Sequence, residues 1–230
     1  MIATALGLAV AAAGAAAHGA FHRNSAVFGR VLSALPSHSP AVALTFDDGP
    51  NPEATPRVLD ALARDGDVAT FFVLGRHAER WPALVRRIAS EGHEIGNHGW
   101  HHRKLHASGP RAVRRDLTMG ADAINGAAGV RPRFFRAPHG FRSPWVSSIA
   151  ASMGQRTVGW TLGVRDTDRP GVLEIERRTL HGARPGAIIL LHDGDGYDPD
   201  GDRMQTADAL PGILAGLRER GLRLAPLPLE

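Results

Sequence analysis

The sequence predicts an α/β fold, a (β/α) barrel-like domain of about seven parallel strands (TIM-like). Three observations predict it. From Ala41 to the C-terminus, short apolar or β-branched runs alternate with helical patterns, and strict alternation of this kind builds parallel sheets. Seven such runs favour a barrel over an open sheet. Polar residues able to do chemistry recur just past the ends of these runs, and the C-terminal face of the strands is where parallel barrels carry their sites. The length of 230 residues suits one domain with a sizeable core.

Taken in order, the strands are expected at 41–46, 69–74, 94–96, 133–136, 157–160, 187–191 and 222–226. Helices are expected at 55–64, 82–90, 109–127, 143–153, 172–181 and 207–220. Thr55 followed by Pro56 reads as an N-cap with proline at the first helical position. Gly92, Gly154 and Gly221 stand just past helix ends, where a left-handed residue is favoured. No repeat or interdomain linker follows Ser39-Pro40, so 40–230 reads as one domain.

Upstream of it, Met1 to Phe21 contains no Asp, Glu, Lys or Arg and is rich in Ala, Gly, Leu and Val. Residues 1–22 read as a signal peptide or N-terminal membrane anchor and 23–39 as a connecting segment, so membrane association through residues 1–21 and an exported or envelope location are expected. Weakly apolar alanine, the absence of a preceding base, and Arg23 and Arg30 just downstream argue the other way, which leaves the cytoplasm open. The net charge of +4, from 27 Lys and Arg against 23 Asp and Glu, is too small and scattered to predict a nucleic-acid partner. With no cysteine, a metal site has to use histidine and carboxylates.

The first strand ends in Thr45-Phe46-Asp47-Asp48-Gly49-Pro50. Two adjacent carboxylates are costly to bury unless a cation compensates them. One of the pair can ligate a metal while the other stays free as a base towards water. His98 and His102 are four apart, and on a helical turn they would face one metal together; His101, three away from His98, is an alternative to His102. His192 ends the apolar run Ile188-Ile189-Leu190-Leu191 and suits a general acid. Arg136, after Phe134-Phe135, can hold a carboxylate with a charge-assisted fork. Asp166 and Asp168 are candidates to orient Arg136 or His192. Trp100 and Trp160 are candidate apolar faces for a sugar ring. The acidic stretch 193–202 lacks the EF-hand ligand order, with Met204 at the bidentate Glu position, and reads as a solvated loop beside the mouth.

These segments together, over about residues 40 to 226, resemble the five motifs of the polysaccharide deacetylase family, the NodB-homology or carbohydrate esterase family 4 domain, in that family's order. The resemblance implies that the fold is a distorted or incomplete (β/α) barrel of about seven parallel strands, and that the protein is a metal-dependent hydrolase that removes N-acetyl groups from amino sugars of a polysaccharide or oligosaccharide. It implies Asp47 as base, Asp48, His98 and His102 as metal ligands, and Arg136 as the partner of the base. It also implies the backbone N–H of His139 as oxyanion donor, Asp166 as support for the acid, and His192 as that acid. Zinc is the expected metal, with cobalt, nickel or manganese as alternatives, and an N-acetylated glycan is the expected partner. A deacylase of lipid-linked amino sugars or other amides is the second reading, and a non-catalytic carbohydrate-binding protein the third. The chain departs from the family pattern in three places. Gly99 replaces the usual Ser or Thr and removes a hydrogen bond bracing the ligand loop, His139 replaces an aromatic Tyr, and the fourth motif lacks its Asp-Trp pair.

Overall fold

The computed structural model describes residues 2–36 and 40–229. Seven parallel strands follow the order β5-β4-β3-β2-β1-β7-β6, and an eighth, β8, joins β1. They are β1 (Ala41–Asp47), β2 (Thr70–Val73), β3 (Glu94–Asn97), β4 (Phe134–Phe135), β5 (Arg156–Thr157), β6 (Leu162–Gly163), β7 (Ile188–His192) and β8 (Arg223–Leu224). The helices are α1 (Ile2–Phe21), α2 (Ala54–Ala63), α3 (Gly75–Arg80), α4 (Pro82–Ser90), α5 (Pro110–Ala128), α6 (Val146–Ser152), α7 (Val172–Gly182) and α8 (Met204–Glu219). This is the expected incomplete barrel, with β6 and α3 in addition to the predicted elements. The last predicted strand, 222–226, shrinks to two residues that pair only with Ala41 and Val42 of β1.

Strand β1 organises the molecule. Val42, Leu44 and Phe46 pack outward into the core shared with the helices. Ala41 and Ala43 point inward against Phe72, Phe134 and Ile188, and the same face continues upward through Thr45 to Asp47, as the two-residue period of a strand requires. The inner face therefore runs from apolar at the bottom to ionisable at the C-terminal mouth. Neighbouring β7 repeats this pattern, with Ile188 inward and Ile189 and Leu191 outward.

Helix α2 begins at Ala54, one residue before the predicted cap. Asn51 does the capping: its Oδ1 accepts the N–H groups of Glu53 at 3.0 Å and Ala54 at 2.9 Å. Thr55 is buried inside the first turn and serves the site instead. Gly92, Gly154 and Gly221 do adopt positive φ, 84°, 73° and 70°.

The strand order leaves β5 and β6 as the sheet's two edges, and residues 22–36 lie along this seam. Leu32 bridges to Val158 and Ala34 to Ala187, while Leu32 and Leu35 enter the barrel interior. The stretch 23–36, read from sequence as a connection, is thus packed on the barrel. Ahead of it, α1 exposes its side chains over positions 6–18. Among the described residues no helix is long and apolar enough to cross a membrane, since alanine and glycine contribute little hydrophobic transfer energy.

Candidate active site

Parallel pairing sets the register of the mouth. Asp47 is aligned with His192 on one side and Phe72 on the other. One residue on, Asp48 turns out of the strand with φ of 71°. That strained backbone is held by His77, whose Nδ1–H donates to the Asp48 carbonyl at 2.8 Å. Gly194 presses against the same carbonyl, where a Cβ would collide with it.

His98 leaves the end of β3, and its Nδ1–H donates to the carbonyl of Arg136 at 2.8 Å. Because a carbonyl only accepts, this bond puts a proton on Nδ1 and turns Nε2 inward as the nitrogen available to a cation; burial opposes charge on the ring, but without a cation Asp47 and Asp48 raise its pKa. His98 and His102 are not brought together by a helical turn as expected. The chain between them is an irregular loop, with Gly99 at φ of 80° and His102 at φ of 54°. Asp116 of α5 braces it, accepting from the Trp100 N–H at 3.1 Å and His101 Nδ1–H at 3.0 Å. The Asp116 carboxylate sits where a side chain on residue 99 would begin, so the loss of a Ser or Thr is offset by an acid from another element. His101 is committed to Asp116 and is not in the cluster.

Asp48, His98 and His102 are all buried, with ligand atoms within 4.8 Å of one another. Asp48 Oδ1 lies 3.3 Å from His98 Nε2 and 3.1 Å from His102 Nε2, yet it has no hydrogen-bond partner. Ligand atoms around a tetrahedral zinc at about 2.0–2.1 Å stand about 3.3 Å apart. A carboxylate oxygen facing an imidazole lone pair at that spacing fits a cation between them, and the three residues form a cluster able to hold a metal ion. Burial would raise the Asp48 pKa, but the imidazoles hold its carboxyl below the usual range. Burial pushes His102 down to about 3, so it is a neutral ring.

Beside the cluster, Asp47 Oδ1 accepts from Arg136 Nη1 at 2.7 Å. The contact is not the expected fork. Nη1 also donates to Thr45 Oγ1 at 2.8 Å, Nη2 to the Gly159 carbonyl at 2.9 Å, and the guanidinium lies 4.2 Å from the Phe72 ring centroid. At the end of neighbouring β7, Asp166 Oδ1 accepts from His192 Nδ1–H at 2.9 Å. Its Oδ2 accepts from the His192 N–H at 2.8 Å and Thr206 Oγ1–H at 2.9 Å. Asp168 instead pairs with Arg165 at the surface, so of the two acids only Asp166 reaches the site. Burial opposes the His192 imidazolium, but the charge and hydrogen bond of Asp166, helped by Asp48 and Asp47, raise its pKa to about 9.

The cleft over these groups has a volume of about 280 Å³, and Trp160, His139 and Tyr197 contribute to its walls. His139 has φ of 59°, in a turn whose bonds run from Gly140 N–H to Ala137 O and Phe141 N–H to Pro138 O. Its Nε2 is 2.8 Å from the Tyr197 hydroxyl. Trp100 lies elsewhere, packed over Gly75. The acidic loop is only partly solvated: Asp193 is buried and receives a 2.5 Å hydrogen bond from Thr55 Oγ1. Nothing in the local sequence marks His77, Asp116, Thr206 or Asp193 as site residues; each is a buried polar group brought there by tertiary packing, and exposed Tyr197 reaches the cleft through its loop.

A parallel barrel whose C-terminal mouth joins a carboxylate–bis-imidazole cluster to a second carboxylate and a charged imidazole defines a hydrolase. Residues 35–158 match the family model described as polysaccharide deacetylase. The chain is 41% identical over 197 residues to the chitooligosaccharide deacetylase of Bradyrhizobium sp. (strain ANU 289), covering 82% of this chain and 89% of that one. It is 38% identical over 197 residues to a peptidoglycan-N-acetylglucosamine deacetylase of Bacillus cereus, covering 85% and 90%. Among solved structures it resembles the Bc1960 peptidoglycan N-acetylglucosamine deacetylase in complex with 4-naphthalen-1-yl-N-oxidanyl-benzamide, with a TM-score of 0.78 and 34% identity over 85% of this chain and 90% of that one. The chain belongs to the polysaccharide deacetylase family.

Proposed function

We propose that this enzyme hydrolyses the acetamide of N-acetylglucosamine units in a glycan, with Asp48, His98 and His102 holding zinc. The observation that carries the reading is the buried, unpartnered Asp48 Oδ1 facing two imidazole nitrogens, in the same cleft as Asp47 and His192. Zinc suits a mixed nitrogen and oxygen donor set that leaves positions open. When bound, it supplies Lewis acidity that polarises the carbonyl and acidifies water.

Asp47 is the base: Arg136 and the end of β1 hold its carboxylate beside the cluster, where it takes a proton from the attacking water. The backbone N–H of His139, which the turn bonds of Gly140 and Phe141 do not use, donates to the developing oxyanion. His192, kept as imidazolium by Asp166, gives its proton to the departing amine nitrogen, without which the C–N bond does not break. Trp160 offers an apolar face to the sugar ring. The glycan assignment is supported by the substrates named for the two relatives above, which share N-acetylglucosamine. It agrees with a location at the cell envelope, with α1 as the export segment; recovery of tagged protein only from cytoplasm would contradict that location.

The test is acetate release from N-acetylglucosamine oligomers and peptidoglycan by zinc-loaded protein, chelated protein, Asp47→Asn and His192→Ala. Release that chelation abolishes and zinc restores, with both variants reduced at least a hundredfold, is expected. Near-wild-type rates in both variants would overturn the assigned roles.

A further inference from the structure

The segment leaving α1 makes a set of contacts that the chemistry above does not use. The Asn24 side chain pairs with Trp160 as a strand neighbour would. Its Nδ2–H donates to the Trp160 carbonyl at 2.9 Å, and its Oδ1 accepts the Trp160 N–H at 3.2 Å. Arg23 Nε–H donates to the same carbonyl at 3.0 Å, and the Arg23 guanidinium lies 5.3 Å from the Trp160 ring centroid. Two glycines make room for this contact. A Cβ on Gly159 would collide with Asn24 Oδ1, and one on Gly140 would come within 2.8 Å of Arg23 Cβ and 2.9 Å of Trp160 Cη2.

The segment is anchored independently. Arg142 is almost fully buried, and the partners of its two terminal nitrogens are mainly carbonyls of the segment, Nε making no hydrogen bond among the described residues. Nη2 donates to Ser25 O at 2.6 Å and His22 O at 3.4 Å, and Nη1 to Ser147 Oγ at 3.3 Å. Its backbone N–H donates to Ala20 O at 3.0 Å. A buried cation at the C-terminal end of α1 also complements the helix dipole. Trp160 in turn adjoins Gly159, whose carbonyl takes the Arg136 bond that steadies the partner of Asp47.

We infer that residues 20–25 are part of the active-site wall, with Arg23 and Asn24 as positioning residues that hold Trp160 for the sugar ring. Trp160 sits where the chain crosses from β5 to β6, outside regular pairing, so its backbone has no ladder to hold it. The segment supplies those missing partners. This rests on the reading of Trp160 as the sugar-facing wall, and the two are separable by experiment.

The experiment compares Asn24→Ala, Asn24→Asp, Trp160→Phe and the double variant Asn24→Ala/Trp160→Phe, all zinc-loaded, for KM and kcat on N-acetylglucosamine oligomers and for zinc content. Losing the paired amide should raise KM by about 3- to 10-fold, with kcat within about 2-fold and zinc content unchanged. Asn24→Asp keeps the acceptor for the Trp160 N–H and should fall between Asn24→Ala and wild type; it also serves if the alanine variant does not fold. The double variant should be no worse than the poorer single one, because both act through one wall. Unchanged KM in both Asn24 variants, with a raised KM in Trp160→Phe, overturns the positioning role alone. Additive effects in the double variant also overturn it, since they mean that Asn24 acts elsewhere. Unchanged KM in Trp160→Phe removes the sugar-facing reading itself.

Discussion

Replacing Asp166 by Asn isolates the device that keeps His192 charged. The two groups are 2.9 Å apart and both shielded, and the carboxylate lifts the imidazole from its ordinary 6.5 to about 9. That interval is worth about 3 kcal/mol in favour of the imidazolium. The amide keeps the shape but not the charge, while the burial that opposes protonation remains, so His192 should titrate below its ordinary value. Titration of ¹⁵N-labelled histidine in metal-free protein reads this directly, near 9 in the wild type and below about 6.5 in the variant. At pH 8, no more than about one in thirty variant His192 rings would then carry a proton, and deacetylation should fall accordingly, with the alkaline limb of kcat moved to lower pH.

The same shift predicts stability. A folded pKa above the unfolded one gives stabilisation that is complete below about 6.5 and is lost as pH rises through about 9. Urea denaturation of the metal-free wild type should show that loss between these values, and Asp166→Asn should not. If His192 in the variant still titrates near 9, Asp48 and Asp47 are the source of the shift, and the pairing with Asp166 does not set it.

Asp193 is pushed up to about 7 by burial, despite the Thr55 hydrogen bond, and the charges of Asp48 and Asp47 add to the rise. Since its folded pKa exceeds the ordinary 3.8, wild-type stability from this group should decline between about pH 4 and pH 7 and then level off. Asp193→Asn should therefore gain on the wild type between pH 5 and pH 8; an equal stability difference at both values refutes this. Asp116→Ala removes both bonds that brace the His98–His102 loop and leaves the Trp100 N–H without its acceptor. It should cost about 1–3 kcal/mol and weaken zinc binding in a chelator competition. Unchanged zinc affinity would mean that the loop is held by other contacts.

The barrel was legible because β1 and β7 are largely apolar runs that end in Asp47 and His192, so strand ends and candidate site residues marked one another. What escaped was short or borrowed. Strand β6 is two residues long and exists through pairing with β7, and α3 is a six-residue helix without a clear apolar period. The 98–102 loop has helical spacing in sequence, but its two left-handed residues make it irregular. Asp193 lies among Asp and Gly residues that read as solvated, and its burial comes from the close approach of Gly49 and the hydrogen bond from Thr55, neither of which is local in sequence. Asp116 could not be paired with Gly99 from sequence because the two meet through tertiary packing of α5.

The seam between β5 and β6 also bears on the order of assembly. Leu32 meets Val158 and Ala34 meets Ala187, contacts that close loops of well over a hundred residues. Closing such long loops is slow, so these early residues should dock after the β1–β2–β3 ladder has formed. Their amides should then exchange with solvent through local openings that leave that ladder intact, so the wall around Trp160 can loosen while the cluster of Asp48, His98 and His102 stays in place.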